Sequence, residues 1–480
     1  MLKSKKTKIV ATLGPAINNR ESLKELMISG VNVFRINFSH ADYDDVKKTV
    51  TIIRELNEEL GFHVGCLADL QGPKLRVGLM SEGVNLVLGD VFTFTTEALA
   101  LGTQEKAFMT YKNFPKDVKV GEHILVDDGK LLFEVTATDG KSNVTTKVLR
   151  GGPLKSKKGV NLPNTAISLP ALTEKDVKDA IFALSIEVDW IALSFVRNPE
   201  DLKDIHKLIE ENSNVSEFRT PVIAKIEKPE AVANIDEIIP FCDGLMVARG
   251  DLGVEVPMAE VPLIQKTLVR KAKKAKIPVI IATQMMETMI DCQVPTRAEV
   301  NDVANSIMDG ADAVMLSGET SVGAFPNEVI KKMREIIISV EHSPLIEVPR
   351  KAPSMNDPKR YISDAVCYQA ALIADNVKAK VISTLTYSGY TAFQISAWRP
   401  LSHILVFSPN KRVLAMLNLF WGVKAKYYEG KLSTYKTIKE VNQIAMDKGV
   451  VEKGDYIVNL NSTPVKRKGM VNTLRVTQIE

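Results

Sequence analysis

The sequence predicts an α/β fold: a (β/α)8 TIM barrel, a small β-barrel lid domain inserted into it, and a C-terminal α/β domain. Three observations carry this prediction. Eight short apolar runs end in polar or charged residues, and helical patterns separate most of them. A stretch rich in Val, Thr and Phe interrupts the series after the third run, and strand and helix patterns resume after about residue 345. Strands that are apolar throughout are buried on both faces, which is typical of parallel sheets.

The eight apolar runs are the candidate barrel strands. They cover residues 7–14, 31–40, 63–70, 188–195, 221–227, 244–251, 277–284 and 311–319. Capping residues mark helix starts between them at Thr173 and Asn198, each followed by acidic residues in the first turn. Residues 1–72 and 171–345 together have the usual length of such a barrel. A doubly wound open sheet is the alternative, but no Gly-x-Gly-x-x-Gly follows a strand.

Two further domains are expected. Residues 73–170 carry turn signals such as Asp127-Asp128-Gly129 and are typical of an inserted β domain. A domain inserted at the C-terminal end of a barrel strand lies over the active-site face, so we expect a lid. The third domain, residues 346–480, follows a linker that contains Pro344, Pro349, Pro353 and Pro358.

Composition argues against several classes of protein. The formal net charge of +4 is too small for a nucleic-acid-binding surface. No run of 18 apolar residues predicts a membrane span, and the N-terminal lysines precede no apolar signal segment. The four cysteines form no Cys-x-x-Cys pair, as expected of reduced thiols. We therefore expect a cytoplasmic protein without nucleic-acid or membrane partners.

Charged residues cluster where the predicted strands end, which is where functional residues of a barrel lie. Glu227 and Asp251 end neighbouring strands and can reach one ion, since Mg²⁺ is usually held by few protein carboxylates. Lys225 and Arg35 supply the fixed positive charge that phosphoryl transfer needs. A structural ion pair at the rim is the alternative for one such strand, but several strands end in this way. The sequence thus predicts a metal-dependent phosphoryl-transfer site.

Two more groups of strand-end residues belong to this prediction. Gly250 lies in a turn where backbone N–H groups can approach an anion closely. Asn37, Ser39 and Asp69 offer oxygen ligands suited to a monovalent cation, with helix capping as the alternative interpretation.

Nine motifs, in order, together resemble the pyruvate kinase family. They are Thr-Lys-Ile-Val-Ala-Thr-Leu-Gly-Pro-Ala at 7–16, Arg-Ile-Asn-Phe-Ser-His at 35–40, Asp-Leu-Gln-Gly-Pro-Lys-Leu-Arg at 69–76, Lys-Ile-Glu at 225–227, Met-Val-Ala-Arg-Gly-Asp-Leu-Gly at 246–253, Ala-Thr-Gln-Met-Met-Glu at 282–287, Pro-Thr-Arg-Ala-Glu at 295–299, Asp-Val-Ala-Asn at 302–305 and Met-Leu-Ser-Gly-Glu-Thr at 315–320. The resemblance covers the whole chain. It implies phosphoryl transfer from phosphoenolpyruvate to ADP, giving pyruvate and ATP, the final step of glycolysis.

The resemblance implies a role for each matching residue. Lys225 would stabilise the moving phosphoryl group and the enolate, while Glu227 and Asp251 would hold Mg²⁺ or Mn²⁺. The implied catalytic set is Lys225, Arg35, Thr283 and Arg76, and the substrate-binding set is Arg35, Lys225, Gly250, Asp251 and Thr283. The nucleotide-side set is Asn37, His40, Arg76 and Lys175. Thr283, through a water near Ser317 and Glu319, is the expected proton source for the enolate.

Lys74 is an informative departure from the common family pattern. Potassium-dependent members carry Glu there, with Thr and Lys at the positions of Leu70 and Gln71, whereas a subgroup carries Leu, Gln and Lys as here. The Lys74 ammonium would supply the charge that bound K⁺ otherwise contributes. We therefore expect that K⁺ is not required and that the cation pocket goes unused. That pocket comprises Asn37, Ser39, Asp69 and Leu70.

The C-terminal domain contains a loop that resembles the family's effector phosphate loop. Its matching residues are Thr386, Ser388, Gly389 and Thr391, but Tyr390 replaces an Arg. A plain β-to-α turn is the alternative interpretation. The resemblance makes AMP or a sugar phosphate the candidate effector, predicts weak or no activation by fructose 1,6-bisphosphate, and implies a homotetramer.

Two other functions compete with this interpretation. One is a different metal-dependent barrel acting on phosphoenolpyruvate or pyruvate, such as an aldolase or a histidine-swivelling phosphotransferase; the inserted lid argues against it. The other is a barrel that has lost catalysis and senses phosphorylated metabolites, against which the intact Lys225, Glu227, Asp251 and Thr283 argue.

Overall fold

A closed barrel of eight parallel strands lies at the centre of a computed structural model that describes residues 5–163, 165, 167–213, 218–343, 352–353, 360–429, 434–462 and 471–480. It begins with β1 (Lys8–Thr12), α1 (Arg20–Ser29), β2 (Val33–Asn37), α2 (Tyr43–Leu60) and β3 (Gly65–Asp69). Every residue of β1 and β3 is buried, as predicted for strands that are packed on both faces.

The stretch after β3 forms separate sheets above the barrel. Its elements are β4 (Asn85–Leu86), β5 (Val91–Thr95), β6 (Lys106–Phe108), α3 (Phe114–Asp117), β7 (His123–Val126), β8 (Leu131–Thr138), β9 (Asn143–Arg150), β10 (Gly152–Pro153) and β11 (Val160–Asn161). Six strands form a sheet in the order β11-β7-β8-β9-β5-β6, and β10 pairs with β4. Phe92, Phe94, Phe114 and Phe133 are fully buried, with ring centroids 5.1–6.1 Å apart. This lid therefore has a hydrophobic core of its own.

The chain then returns to the barrel. The remaining barrel strands are β12 (Trp190–Leu193), β13 (Val222–Ile226), β14 (Gly244–Ala248), β15 (Val279–Ala282) and β16 (Ala313–Leu316). Their helices are α4 (Glu174–Ser185), α5 (Pro199–Asn212), α6 (Pro229–Ala233), α7 (Ile235–Ile238), α8 (Arg249–Glu255), α9 (Val261–Ala275), α10 (Arg297–Asp309), α11 (Gly318–Ser321) and α12 (Pro326–Glu341). Strand β16 pairs with β1 and closes the ring.

Local chemistry explains where these helices begin. The predicted caps are confirmed: the Thr173 side chain and Asp176 form a capping box at α4, and the Asn198 side chain accepts from the Asp201 N–H at α5. Single 3₁₀ turns span Pro15–Ile17, Ile239–Phe241, Met258–Glu260 and Glu287–Ile290. Across the described ranges, none of the helices combines the length and apolarity that a bilayer crossing requires.

The C-terminal part of the chain forms a five-stranded sheet flanked by helices. Its elements are α13 (Tyr361–Asn376), β17 (Val381–Leu385), α14 (Tyr390–Ala397), β18 (His403–Ser408), α15 (Lys411–Leu417), β19 (Val423–Tyr427), α16 (Thr434–Asp447), β20 (Tyr456–Asn461) and β21 (Thr473–Gln478). The order is β19-β18-β17-β20-β21, and only the β20–β21 pair is antiparallel among these neighbours. Of the predicted linker prolines, Pro344, Pro349 and Pro358 lie outside the described residues.

This C-terminal sheet packs against the N-terminal end of the barrel. Trp190, the first residue of β12, donates its indole N–H to the Met416 carbonyl over 3.1 Å, and its ring lies 6.0 Å from that of Phe420. One end of the barrel is thus closed by protein. The carboxyl ends of the strands face the lid instead.

Candidate active site

The carboxyl ends of the barrel strands surround a cavity of about 100 Å³. In β2 and β3, pairing sets Asn37 directly beside Asp69, so their side chains reach the rim together. Nine of the residues predicted from the sequence line this cavity. They are Arg35, Asn37, Ser39, Asp69, Leu70, Lys74, Lys225, Glu227 and Asp251.

Lys225 lies at the centre of this group. Its ammonium is 3.0 Å from Asp69 Oδ1 and 3.1 Å from Glu227 Oε1, and it donates to Ser194 Oγ over 2.6 Å. Burial lowers the pKa of Lys225, but the two carboxylates outweigh burial and hold its pKa above the ordinary value. The side chain is therefore a permanently charged cation inside the barrel mouth.

Asp69 joins the two buried cations. Its Oδ2 accepts from Arg35 Nε over 2.6 Å, while Oδ1 faces Lys225. Burial raises the pKa of Asp69, and the charges of Lys225 and Arg35 reverse that effect and leave the pKa below its usual value. Arg35 Nη1 also donates to the Thr12 hydroxyl over 3.1 Å, which fixes the guanidinium against β1.

Glu227 and Asp251 supply two further carboxylates to the lining of the cavity. Glu227 Oε2 accepts the Phe195 N–H over 2.8 Å. Burial raises the pKa of Glu227; Lys225 opposes this, and the negative charge of Asp251 adds to it. Two carboxylates that repel each other beside a cavity suit a hard divalent cation that keeps further oxygen ligands from substrate. In the described part of the chain no set of three or more His, Cys, Asp and Glu side chains is arranged around a metal position.

The turn after β14 meets the turn after β15. The Gly250 N–H donates to Thr283 Oγ1 over 2.7 Å, and Arg249 Nη2 donates to the Thr283 carbonyl over 2.8 Å. Thr283 and Gln284 have φ of 67° and 54°, a left-handed conformation that non-glycine residues adopt rarely. A Cβ at Gly250 would lie 3.3 Å from Thr283 Oγ1, so this close approach favours glycine.

Of the predicted nucleotide-side residues, Asn37 lines the first cavity, but His40, Arg76 and Lys175 do not. His40 is exposed, and Arg76 lies in the lid, where Nη1 donates to the Lys157 carbonyl over 3.0 Å. Lys175 donates to the Phe38 carbonyl over 2.7 Å and pairs with Asp179. Lys175 also lines a second cavity of about 520 Å³, between lid and barrel, together with Lys74 and Lys112.

Ser317 and Glu319 hold the neighbouring strand ends together. Glu319 Oε2 accepts the Ser317 N–H over 2.6 Å, and Oε1 accepts the Met286 N–H over 3.2 Å. Burial raises the pKa of Glu319, although these backbone donors oppose the rise. Both oxygens of this carboxylate are engaged with the loops after β15 and β16.

The loop between β17 and α14 contains the predicted effector residues. The Thr386 hydroxyl accepts the Gly389 N–H over 2.9 Å, and Gly389 has a left-handed φ of 88°. Ser388 is exposed and Thr391 is buried. Tyr390 donates its hydroxyl to Asp364 over 2.7 Å, and the Arg360 guanidinium lies 4.4 Å from its ring.

Sequence reasoning missed several residues around the barrel mouth. Lys228 and Glu255 form a buried ion pair of 2.7 Å, and Asp128 of the lid lines an adjacent cavity with Asp251. Lys228 directly follows the Lys-Ile-Glu motif, so a second lysine at a strand end was an available signal. Asp128 belongs to the Asp127-Asp128-Gly129 turn signal, but nothing local in the sequence marks Asp128 or Glu255 as a residue of this site.

Comparisons with known proteins show which family this chain is similar to. The family model described as "Pyruvate kinase, barrel domain" matches residues 4–330, and "Pyruvate kinase, alpha/beta domain" matches residues 364–477. A pyruvate kinase of Corynebacterium glutamicum is 41% identical over 473 residues, which cover 98% of this chain and 97% of that protein. A pyruvate kinase of Mycobacterium tuberculosis is 39% identical over 477 residues and covers 99% of both chains. The crystal structure of a pyruvate kinase from Cryptosporidium parvum superposes with a TM-score of 0.91 at 34% identity, covering 99% of this chain and 96% of that one.

Proposed function

The chain belongs to the pyruvate kinase family and transfers a phosphoryl group between phosphoenolpyruvate and ADP, giving pyruvate and ATP, and from this premise we propose how its own residues divide the work. The observation that carries the proposal is the position of Lys225. Its permanent positive charge lies among Asp69, Glu227 and Arg35 at the end of the barrel that faces the lid. There it stabilises negative charge on the transferred phosphoryl group and on the enolate.

Glu227 and Asp251 hold the divalent cation. Members of the family generally use Mg²⁺ or Mn²⁺. Burial raises the pKa of Glu227 and the negative charge of Asp251 adds to this effect, and a divalent cation held by the two carboxylates would relieve their repulsion. When bound, such an ion acts as a Lewis acid on oxygens of the substrate and neutralises developing charge.

The remaining groups orient phosphoenolpyruvate. Arg35, fixed by Asp69 and Thr12, presents a rigid guanidinium to the substrate phosphate. The backbone N–H groups of Gly250 and Asp251 and the hydroxyl of Thr283 bind the substrate carboxylate, which replaces the present Gly250–Thr283 contact. Thr283 then lies where it can deliver a proton, through water, to the enolate.

The nucleotide binds between lid and barrel. Arg76 from the lid, with Asn37 and His40 from the end of β2, contacts its phosphates. Lys175 and the cavity of about 520 Å³ lie on the flank of this cleft. Closure of the lid brings the two sets together and excludes water from the reacting groups.

K⁺ is not required in this enzyme because Lys74 supplies a fixed charge in the same cavity. The ammonium-bearing side chain lines the cavity with Asn37, Ser39, Asp69 and Leu70. Both oxygens of Asp69 already face cations, Arg35 and Lys225. The pocket therefore persists without being a functional K⁺ site.

The C-terminal loop and the assembly complete the proposal. Thr386, Ser388, Gly389 and Thr391 form a turn that suits the phosphate of AMP or a sugar phosphate, with Tyr390 in place of a guanidinium. The working enzyme is a homotetramer in the cytoplasm, as the family resemblance implies.

Substitution of Lys225 by Met tests the proposal directly. ATP formation from phosphoenolpyruvate and ADP is followed in a coupled assay. We expect kcat to fall by about 10²–10³-fold or more, the range for loss of one group that stabilises transition-state charge. Lys276→Met is the matched control, since Lys276 also pairs with a carboxylate (Asp364, 2.9 Å) but lies between α9 and the start of β15, at the opposite end of the strand from the cavity. Equal rates in wild type and in Lys225→Met would refute the role assigned to Lys225, and equally slow rates in both would favour a non-catalytic sensor.

A further inference from the structure

Glu255, the last residue of α8, joins three segments of the chain with one buried carboxylate. Its Oε1 accepts from Lys228 Nζ over 2.7 Å and from Asn161 Nδ2 over 2.8 Å. The Glu255 side chain is fully buried and that of Lys228 is 8% exposed. Charged groups this deeply buried are kept only where a partner compensates them.

Two of these segments carry the carboxylates that face the substrate cavity. Glu227 is the residue directly before Lys228, and Asp251 lies four residues before Glu255 in the same short helix. Residues four apart in a helix lie on one face, one turn from each other. A displacement of Glu255 is therefore transmitted to Asp251 through α8 and to Glu227 through its neighbour Lys228.

The third segment belongs to the lid. Asn161 lies in β11, which pairs with β7 at the edge of the six-stranded sheet. Arg197 also bonds to the Ile167 and Leu169 carbonyls, but these two residues lie in the connection between β11 and α4 and not in the six-stranded sheet. The Asn161–Glu255 bond thus ties the lid sheet itself to the barrel rim.

One oxygen of the Glu255 carboxylate can still accept a hydrogen bond. Among the described residues its Oε2 is buried without a hydrogen-bond partner. Glu255 borders a cavity between lid and barrel that is lined by Asp128, Lys74 and Asp251. The Glu255 carboxylate therefore lies at the boundary between the lid and the barrel.

We propose that Glu255 is a positioning residue that couples the seating of the lid to the affinity of the metal-binding carboxylates. This rests on the proposed function, because it takes Glu227 and Asp251 as the ligands of the divalent cation. With Asn161 in place, Glu255 is restrained from two sides and α8 holds Asp251 in register with Glu227. Without Asn161, Lys228 is the remaining donor to Glu255, and Glu227 and Asp251 are less well ordered relative to each other. Because coupling is reciprocal, a bound cation also holds the lid sheet closer to the rim.

The experiment measures Mn²⁺ binding to the full-length enzyme by electron paramagnetic resonance, without nucleotide, in wild type and four variants. We expect Asn161→Ala to weaken Mn²⁺ binding by roughly 3–10-fold, at the low end of ordinary couplings. Asn143→Ala is the matched control, because Asn143 also donates Nδ2 to a carboxylate, but to Asp139 within the lid (3.0 Å). Glu227→Gln should abolish tight binding.

Reciprocity supplies the second measurement. In wild type, Mn²⁺ should slow hydrogen exchange of the β7 and β11 amides, and in Asn161→Ala this effect should be lost. Asn161→Asp, which sets a carboxylate against Glu255, should weaken Mn²⁺ binding further than Asn161→Ala. Wild-type binding in Glu227→Gln would overturn the proposed metal site. If Glu227→Gln loses Mn²⁺ binding but Asn161→Ala behaves like wild type in both measurements, the coupling alone is overturned. The same holds if Asn143→Ala weakens Mn²⁺ binding as much as Asn161→Ala does.

Discussion

Replacement of Lys225 by Met should destabilise the barrel by an amount that depends on pH. The Lys225 ammonium lies 3.0 Å from Asp69 Oδ1 and 3.1 Å from Glu227 Oε1. At an effective dielectric constant of about 20, each contact contributes roughly 5 kcal/mol of attraction. The burial of each ion opposes this by several kcal/mol, and removal of one partner from such a cluster costs about 3–5 kcal/mol.

The pH dependence follows from Glu227. Without Lys225, Asp69 keeps its bond to Arg35, whereas Glu227 keeps the Phe195 N–H and the repulsion of Asp251. Its pKa, which burial already raises, then rises further. A carboxyl whose pKa in the folded state exceeds its unfolded value of about 4.3 binds more protons when folded, so stability falls as the pH rises through that interval. The loss relative to wild type should therefore be larger at pH 8 than at pH 5.

Urea unfolding followed by circular dichroism at both pH values measures this loss. The matched control is Lys225→Met combined with Glu227→Gln, which removes the uncompensated buried charge. We expect the double variant to regain a large part of the stability at pH 8 and to lose the extra pH dependence. A loss in Lys225→Met that is the same at pH 5 and pH 8, and that Glu227→Gln leaves unchanged, would refute the reasoning.

Two further predictions concern the cation and the effector. In tetramethylammonium salts free of Na⁺ and K⁺, initial rates of the wild-type enzyme should stay close to those in KCl. The Lys74→Glu variant should require K⁺. A fall of the wild-type rate by orders of magnitude without K⁺ would contradict the role of Lys74. Fructose 1,6-bisphosphate should change the phosphoenolpyruvate concentration at half-saturation by less than about fivefold, the low end of ordinary couplings. The reason is that position 390 offers a phenol that is hydrogen-bonded to Asp364. A larger drop in this concentration on titration with the bisphosphate would contradict the prediction.

The barrel could be predicted from the sequence because its strands are continuous apolar runs. The prediction placed the ends of these strands too late in the sequence. Residues 244–251 were expected to form one strand, but β14 ends at Ala248 because Arg249 begins α8. Backbone geometry, not hydropathy, ends the run, since residues 249–251 already turn into a helix. The residues of the cavity were predictable because register places strand ends together.

Contacts between segments far apart in sequence could not be predicted in the same way. Glu255 is 27 residues from Lys228 and 94 from Asn161, and no periodicity relates the three. The resemblance implies a nucleotide contact for Lys175, and nothing in the sequence indicates that its ammonium bonds to the Phe38 carbonyl beside the cavity between lid and barrel. A motif identifies which residue is present, and packing decides where its side chain points.

The charge balance of the cavity gives a physical reason for the proposed independence from K⁺. Its lining includes three cations, Arg35, Lys74 and Lys225, and three carboxylates, Asp69, Glu227 and Asp251, so the side chains alone are neutral. In the potassium-dependent pattern, a Lys at position 71 and a Glu at position 74 cancel, and K⁺ adds one positive charge. Here Gln71, which lines the same cavity, is neutral and Lys74 adds that charge itself. Both arrangements bring the same net charge to an anionic substrate, but only the second has it before any ion binds.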